Sequence, residues 1–537
     1  MRADLRIALG LLALLPACGG DASPGPGAPL EVVTGAVTSL GTAAGVVTEE
    51  GVVAFLGLPY AEPPVGALRF APPVAVRSWP SGLDASAFGP ACPQPPAEFG
   101  YVYTRQDEDC LRLNVWTPSA DGARRPVMVW VHGGAFAYEG TEDPFYSGAR
   151  LAARGQLVVV SIEYRLGALG FTQLEGVDGS GNAAILDERL ALEWVRDHVA
   201  SFGGDPEDVT LFGQSAGGMA VAALLGMPGG SELVDKAIVQ ANVASLIRPW
   251  EAARAVTGEL VAALGLADES DLRDVPVADL LAAQAALGDG SFGPTFDGSV
   301  FPVAPMRAVE LGSAAHVPIL TGTTRDEARG WLPRVPFLRS PLFVPAIPIA
   351  LLELLTDALA PGVTPAQAIE TYQRANPTLP PNLVSMAIGT DALFRLPILH
   401  LAESQLAFEP GAVFVYRFDW VPPSPQHAGI DMGARHAAEV GFVLDTTDGW
   451  PGCYGPGGES VPRALVEQMM DAWIAFARTG DPSVRGGLSW PAYDTVRRPT
   501  MVFGADGPSP TTSVVADPGG DTRALWIPSR LALGRDG

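Results

Sequence analysis

Lysine is nearly absent from this chain: Lys236 is the single one in 537 residues, and 34 basic residues face 59 acidic ones, for a formal net charge of −25. A protein that grips nucleic acid needs clustered Lys and Arg to displace counterions from phosphates. No such cluster occurs, which excludes a nucleic-acid partner. Histidine is scarce too, so imidazole chemistry must fall to His132, His198, His316, His400, His427 or His436. Four cysteines and these histidines make no zinc-site spacing. No metal or organic cofactor is implied. Gly and Pro are abundant, yet they show no period and no repeat. No uninterrupted apolar run approaches the roughly 20 residues that span a bilayer. The hydrophobic share of 47% is enough for a large core, which excludes a disordered chain.

The N-terminus reads as an address. Arg2 and Arg6 precede the apolar run Ile7–Ala17, which has the length of a signal-peptide core. The run ends Leu15-Pro16-Ala17-Cys18 and resembles a bacterial lipobox, in which the cysteine is lipidated and becomes the new N-terminus. Residues 1–17 are then a signal peptide, residues 18–29 a flexible Gly/Pro/Ser tether, and residues 30–537 one catalytic domain. The expected location is outside the cytoplasm. The chain is anchored through Cys18, or else periplasmic or secreted. An oxidising compartment permits a disulfide. The 18-residue separation of Cys92 and Cys110 suits a local one, leaving Cys453 as a buried free thiol.

Short apolar runs at Pro126–His132, Leu157–Tyr164, Val209–Gly213, Lys236–Gln240, Val317–Gly322 and Ala412–Phe418 read as buried strands. Helical patterns at Asn182–Ala200 and Arg463–Arg478 alternate with them. The expected class is α/β, a mostly parallel central sheet with helices on both faces. Pro341–Leu352 is apolar but broken by Pro345 and Pro348; it reads as a pocket wall or a lid.

Gly213-Gln214-Ser215-Ala216-Gly217 follows the strand-like run and precedes a helix-compatible segment. That is the setting of a nucleophile elbow, where a sharp turn lifts a serine hydroxyl out of the sheet. A serine needs a base. In folds with this elbow an acid and then a histidine follow the serine. His316 precedes a strand and His400 lies in an apolar helical pattern, so His427 and His436 remain. The acid should follow a strand, which nominates Asp326 or Glu327. Val131-His132-Gly133-Gly134-Ala135-Phe136 is a small-residue turn whose amides could meet an oxyanion, with His132 as its structural support.

The segments Phe202–Gly217 and Glu108–Val115, with Gly57–Ala61, Leu68–Phe70, Tyr164–Gly167 and Phe476–Pro482, resemble the type-B carboxylesterases. These are the cholinesterase-like branch of the α/β-hydrolases. The resemblance spans roughly residues 30 to 505. It implies the α/β-hydrolase fold and a Ser-Glu-His triad of Ser215, Glu327 and His436. It also implies an oxyanion hole from Gly134, Ala135 and Ala216, and a Cys92–Cys110 bridge. The implied activity is hydrolysis of a small-molecule carboxylic ester through an acyl-enzyme. An amide or carbamate hydrolase, or a lipase, would use the same residues. A non-catalytic adhesion protein of this family would lack the serine. Gln214 and Ala241 replace residues that are more often Glu and Ser. The Cys92–Cys110 loop holds Phe99, Tyr101 and Tyr103 but no Trp to bind a choline cation. These departures argue against a dedicated cholinesterase.

Overall fold

The computed structural model describes residues 32–96, 103–241, 247–331, 363–421, 432–450, 454, 460–505 and 511–526. Strands of one sheet run through them in chain order: β1 (Val32–Thr38), β2 (Gly41–Val47), β3 (Val53–Pro59), β4 (Leu83–Asp84), β5 (Arg112–Thr117), β6 (Arg125–Val131), β7 (Val158–Ile162), β8 (Gly204–Gln214), β9 (Lys236–Gln240), β10 (Ile319–Thr324), β11 (Val413–Phe418), β12 (Pro499–Ala505) and β13 (Thr511–Ala516). Their spatial order is β1-β2-β3-β5-β7-β6-β8-β9-β10-β11-β12-β13, with the short β4 beside β2.

The run from β7 to β12 is parallel throughout. Its strands read as near-continuous Val, Ile and Leu because both faces are covered. Side chains alternate with the period of two that a strand imposes. Val129, Val131, Leu211 and Val239 enter one core. Met128, Trp130, Phe212 and Ile238 enter the other. The helix α1 (Ala183–His198) presents Ile185, Leu192 and Val195 to the first core. The helix α2 (Arg463–Thr479) presents Trp473 and Phe476 to the second, and Gly480 ends it at φ +75°. Both helices match the sequence expectation to within a few residues. The sheet is α/β and mostly parallel as expected, with an antiparallel edge at each end.

Register sets up the site. Val131 lies opposite Gly213, Gln214 opposite Gln240, and Gln240 opposite Gly322. The carboxyl ends of β6, β8, β9 and β10 therefore form one row. The chain leaves β6 toward β7 on one side and returns to β8 on the other. That is a topological switch point, where α/β sheets open a crevice. Cys18, the tether, Pro341–Leu352, His427 and Cys453 lie outside the described residues.

Candidate active site

Ser215 sits in the first position beyond β8, at φ +58° and ψ −121°, and caps a helix over Ala216–Gly226. A non-glycine residue in that region is strained, and strain of this kind is held by its surroundings. The hold is close backbone approach. A Cβ on Gly217 would stand 2.1 Å from the Val131 carbonyl oxygen, and one on Gly213 would stand 2.6 Å from the Gly217 carbonyl carbon. The Ser215 N–H donates to the Gln240 carbonyl at 3.0 Å. The Ala216 amide opens the helix, where N–H groups lack intrahelical partners.

The turn after β6 lies against this elbow: a Cβ on Gly133 would come within 3.3 Å of Ser215 Cβ. Gly134, Ala135 and Phe136 all have positive φ, at 82°, 54° and 59°. His132 is fully buried beneath them and stacks on Tyr164 at 4.3 Å. Burial pushes its imidazole down to about 3. Tyr164 Oη donates to the carbonyls of His132 and Gly133 at 2.9 and 3.1 Å. His132 is thus a neutral support of the turn, as expected.

Glu327 and His436 meet across the row. His436 Nδ1 lies 2.5 Å from Glu327 Oε2, both side chains being almost wholly buried. The other oxygen, Oε1, accepts the Thr324 N–H at 2.7 Å, so the turn after β10 fixes the carboxylate. Asp326 faces elsewhere. It pairs with Arg329 at 3.0 Å and accepts the Ala434 N–H at 3.0 Å, holding the segment that leads to His436. His316 approaches the Ser231 carbonyl and His400 pairs with Glu310 at 2.7 Å, away from this cluster.

Several neighbours complete the cluster. Gln214 Nε2 lies 3.2 Å from His436 Nε2. Phe394, buried at zero exposure, packs on the His436 ring at 5.1 Å from a π-helical turn over Asp391–Arg395. Such turns recur at functional sites. Thr390, which caps this turn, accepts the Ala328 N–H on Oγ1 at 3.1 Å, so the segment touches both the Glu327 loop and His436. Asp391 accepts from Arg395 of the same turn at 2.8 Å and ties it to the C-terminal helix (Gly520–Trp526) by accepting from Thr522 Oγ1 at 3.0 Å. Glu439 stands behind the pair. Burial, then the Glu327 charge, pushes it up to about 7. Gln240 Nε2 donates to it at 3.3 Å. Cys92 and Cys110 are bridged.

The sequence profile of the carboxylesterase family matches residues 30–512. A para-nitrobenzyl esterase of Bacillus subtilis is 36% identical over 499 residues, covering 90% of this chain and 96% of the relative. A phenmedipham hydrolase of Pseudarthrobacter oxydans is 34% identical, with 86% and 93% covered. The structure of a Geobacillus stearothermophilus carboxylesterase superposes with a TM-score of 0.80 at 35% identity, covering 92% of this chain and all of that one. With the α/β-hydrolase sheet, the strained serine and the His–Glu pair already in view, this chain belongs to the carboxylesterase family of enzymes.

Proposed function

We propose that the protein hydrolyses small-molecule carboxylic esters through an acyl-enzyme, with Ser215 as nucleophile, His436 as base and Glu327 as its orienting acid. The observation that carries this reading is the 2.5 Å contact of His436 Nδ1 with Glu327 Oε2. A proton held at Nδ1 leaves Nε2 as the basic nitrogen. Ser215 Oγ attacks the ester carbonyl while Nε2 takes its proton. Glu327 stabilises the imidazolium that forms. The amides of Gly134, Ala135 and Ala216 meet the oxyanion, and Nε2 returns the proton to the departing alcohol. Water then repeats the cycle on the acyl-enzyme through the same base. Gln214, an amide in place of a second carboxylate, adds no negative charge beside the serine.

The test is Ser215→Ala. It should lower kcat on para-nitrophenyl esters by about 10⁶ while the protein stays folded. An organophosphate should label Ser215 and no other serine. Wild-type turnover by a folded variant would sink the reading. A panel of short and long esters, amides and carbamates would then separate esterase from lipase and amide or carbamate hydrolase.

We also propose export and anchoring through a lipidated Cys18. More than one acyl chain is needed for stable anchoring, and a bacterial lipoprotein cysteine supplies at least two. The enzyme should pellet with membranes, resist a salt wash and dissolve in detergent. Equal solubility of wild type and correctly processed Cys18→Ser would make the lipobox a chance match.

A further inference from the structure

Glu139 is a charged residue where the backbone asks for glycine: its φ is +78°, and it follows the proposed oxyanion turn by only a few residues. Something must hold it there. Gln94 does so on the main chain, its Oε1 accepting the Glu139 N–H and its Nε2 donating to the Glu139 carbonyl, each at 2.8 Å. Gln94 is itself 3% exposed, and its own N–H donates to Gln106 Oε1 at 2.9 Å. Both glutamines belong to the loop that the Cys92–Cys110 bridge closes.

The side chain held in this way turns under the oxyanion loop. Glu139 Oε2 accepts the Tyr146 hydroxyl at 2.5 Å. A Cβ on Gly134 would lie 3.0 to 3.2 Å from Cγ, Cβ and Cδ of Glu139, so its stem rests directly on that glycine. Oε2 is also 3.3 Å from the Cβ position of Gly133, which is equally close to Ser215 Cβ. Tyr146 is wedged against Trp130 and His132, which leaves its hydroxyl little choice of direction.

We propose that Glu139 is the positioning residue of the oxyanion loop: pinned by Gln94 and Tyr146, it fixes the Gly133–Gly134 peptides so that the Gly134 and Ala135 amides are aimed before the oxyanion forms. This rests on the Ser215 esterase reading above. The need is physical. Gly134 and Ala135 are in left-handed conformations within one short turn over Gly134–Phe136, closed only by the Ala137 and Tyr138 N–H groups on the Gly134 carbonyl. Oxyanion donors contribute only if they are preorganised. The burial that pushes Glu139 up to about 7 also strengthens its hydrogen bond with Tyr146. Glu142, Asp143, Glu163, His132, Tyr103 and Tyr146 are titratable groups around Glu139.

Glu139→Ala should lower kcat by about 10- to 100-fold with KM changed less than about threefold, since a donor misplaced by an ångström acts mainly on the transition state. A trifluoromethyl ketone adds to the serine as a tetrahedral oxyanion, so its Ki should rise by about the same factor as kcat falls. A role confined to stability would lower Tm and leave kcat and Ki unchanged, and that result overturns the proposal. If Glu139→Ala does not fold, Tyr146→Phe removes only one donor to the carboxylate. It should cost about three- to tenfold in both constants, and no change there overturns the brace. Ser215→Ala is measured alongside. Turnover persisting in it would sink the esterase reading, and the brace with it. Turnover lost at Ser215 but untouched in the Glu139 and Tyr146 variants would sink the brace alone.

Discussion

Glu327 shares its two carboxylate oxygens between its own turn and the histidine: Oε1 accepts the Thr324 N–H at 2.7 Å and Oε2 lies 2.5 Å from His436 Nδ1. The adjacent Asp326 is pinned the opposite way by Arg329 and the Ala434 amide. Two neighbouring acids thus divide the work, one facing His436 and the other holding the segment that carries it.

Substitution should separate them. Glu327→Gln should reduce kcat by about 10⁴, the scale seen when a triad acid becomes an amide. Asp326→Asn should lower Tm with a much smaller loss of kcat. A larger kcat loss for Asp326→Asn would reverse the assignment. His436→Ala against His427→Ala tests the base in the same assay.

Stability should fall as pH rises from about 5 to 8. Burial raises Glu139, Glu163 and Glu439 from 4.5 to about 7, and Asp143 from 3.8 to about 6. Each therefore binds a proton more tightly when folded, so the unfolded state gains on raising pH through this window. His132 opposes them. Its folded value of about 3 against 6.5 adds stability above 6.5 that is lost as pH falls toward 3. The four carboxyls outnumber it, and Tm should be higher near pH 5.5 than at pH 8. Glu439→Gln should flatten that slope, and a slope unchanged in Glu439→Gln would contradict the buried-acid account.

Reduction of Cys92–Cys110 should destabilise the fold by about 3 kcal/mol, the chain-entropy value for a loop of this size, which spans 18 residues. Intact mass without reduction should show this pair linked and Cys453 free. A bridge from Cys453 to either partner would refute the pairing.

Asp391 couples the C-terminal helix to the turn behind His436, accepting from Arg395, Thr522 and Tyr372. Asp391→Ala removes the carboxylate that neutralises the largely buried Arg395 guanidinium and leaves it only the Pro518 and Gly519 carbonyls and Thr522 Oγ1 as hydrogen-bond acceptors. It should cost about 3 to 5 kcal/mol, the scale for breaking a buried pair. Wild-type thermal unfolding would show that this node is idle.

The row of buried strands and the elbow glycines were legible in the sequence because they obey local rules. A parallel strand covered on both faces must be apolar along its length, and a backbone that passes within 2.1 Å of a would-be Cβ must be glycine at 217. His132 as a neutral support was legible for the same reason, since it sits in the turn it supports. The antiparallel edge strands β1 and β2 were not, because a half-exposed pattern of Gly, Ala and Thr has little period to read. Residue chemistry also left Asp326 beside Glu327, and resemblance alone chose between them. Tertiary structure decided which of the two faces His436, because adjacent side chains point apart and only the packing of the Ala434 segment says which points where. It decided as well that Glu139, Phe394 and Glu439 surround the site. Phe394 reaches His436 from a distant stretch, and Glu139 and Glu439, though near Gly133 and His436 in sequence, are placed by distant partners, Gln94 and Gln240, where no spacing rule operates.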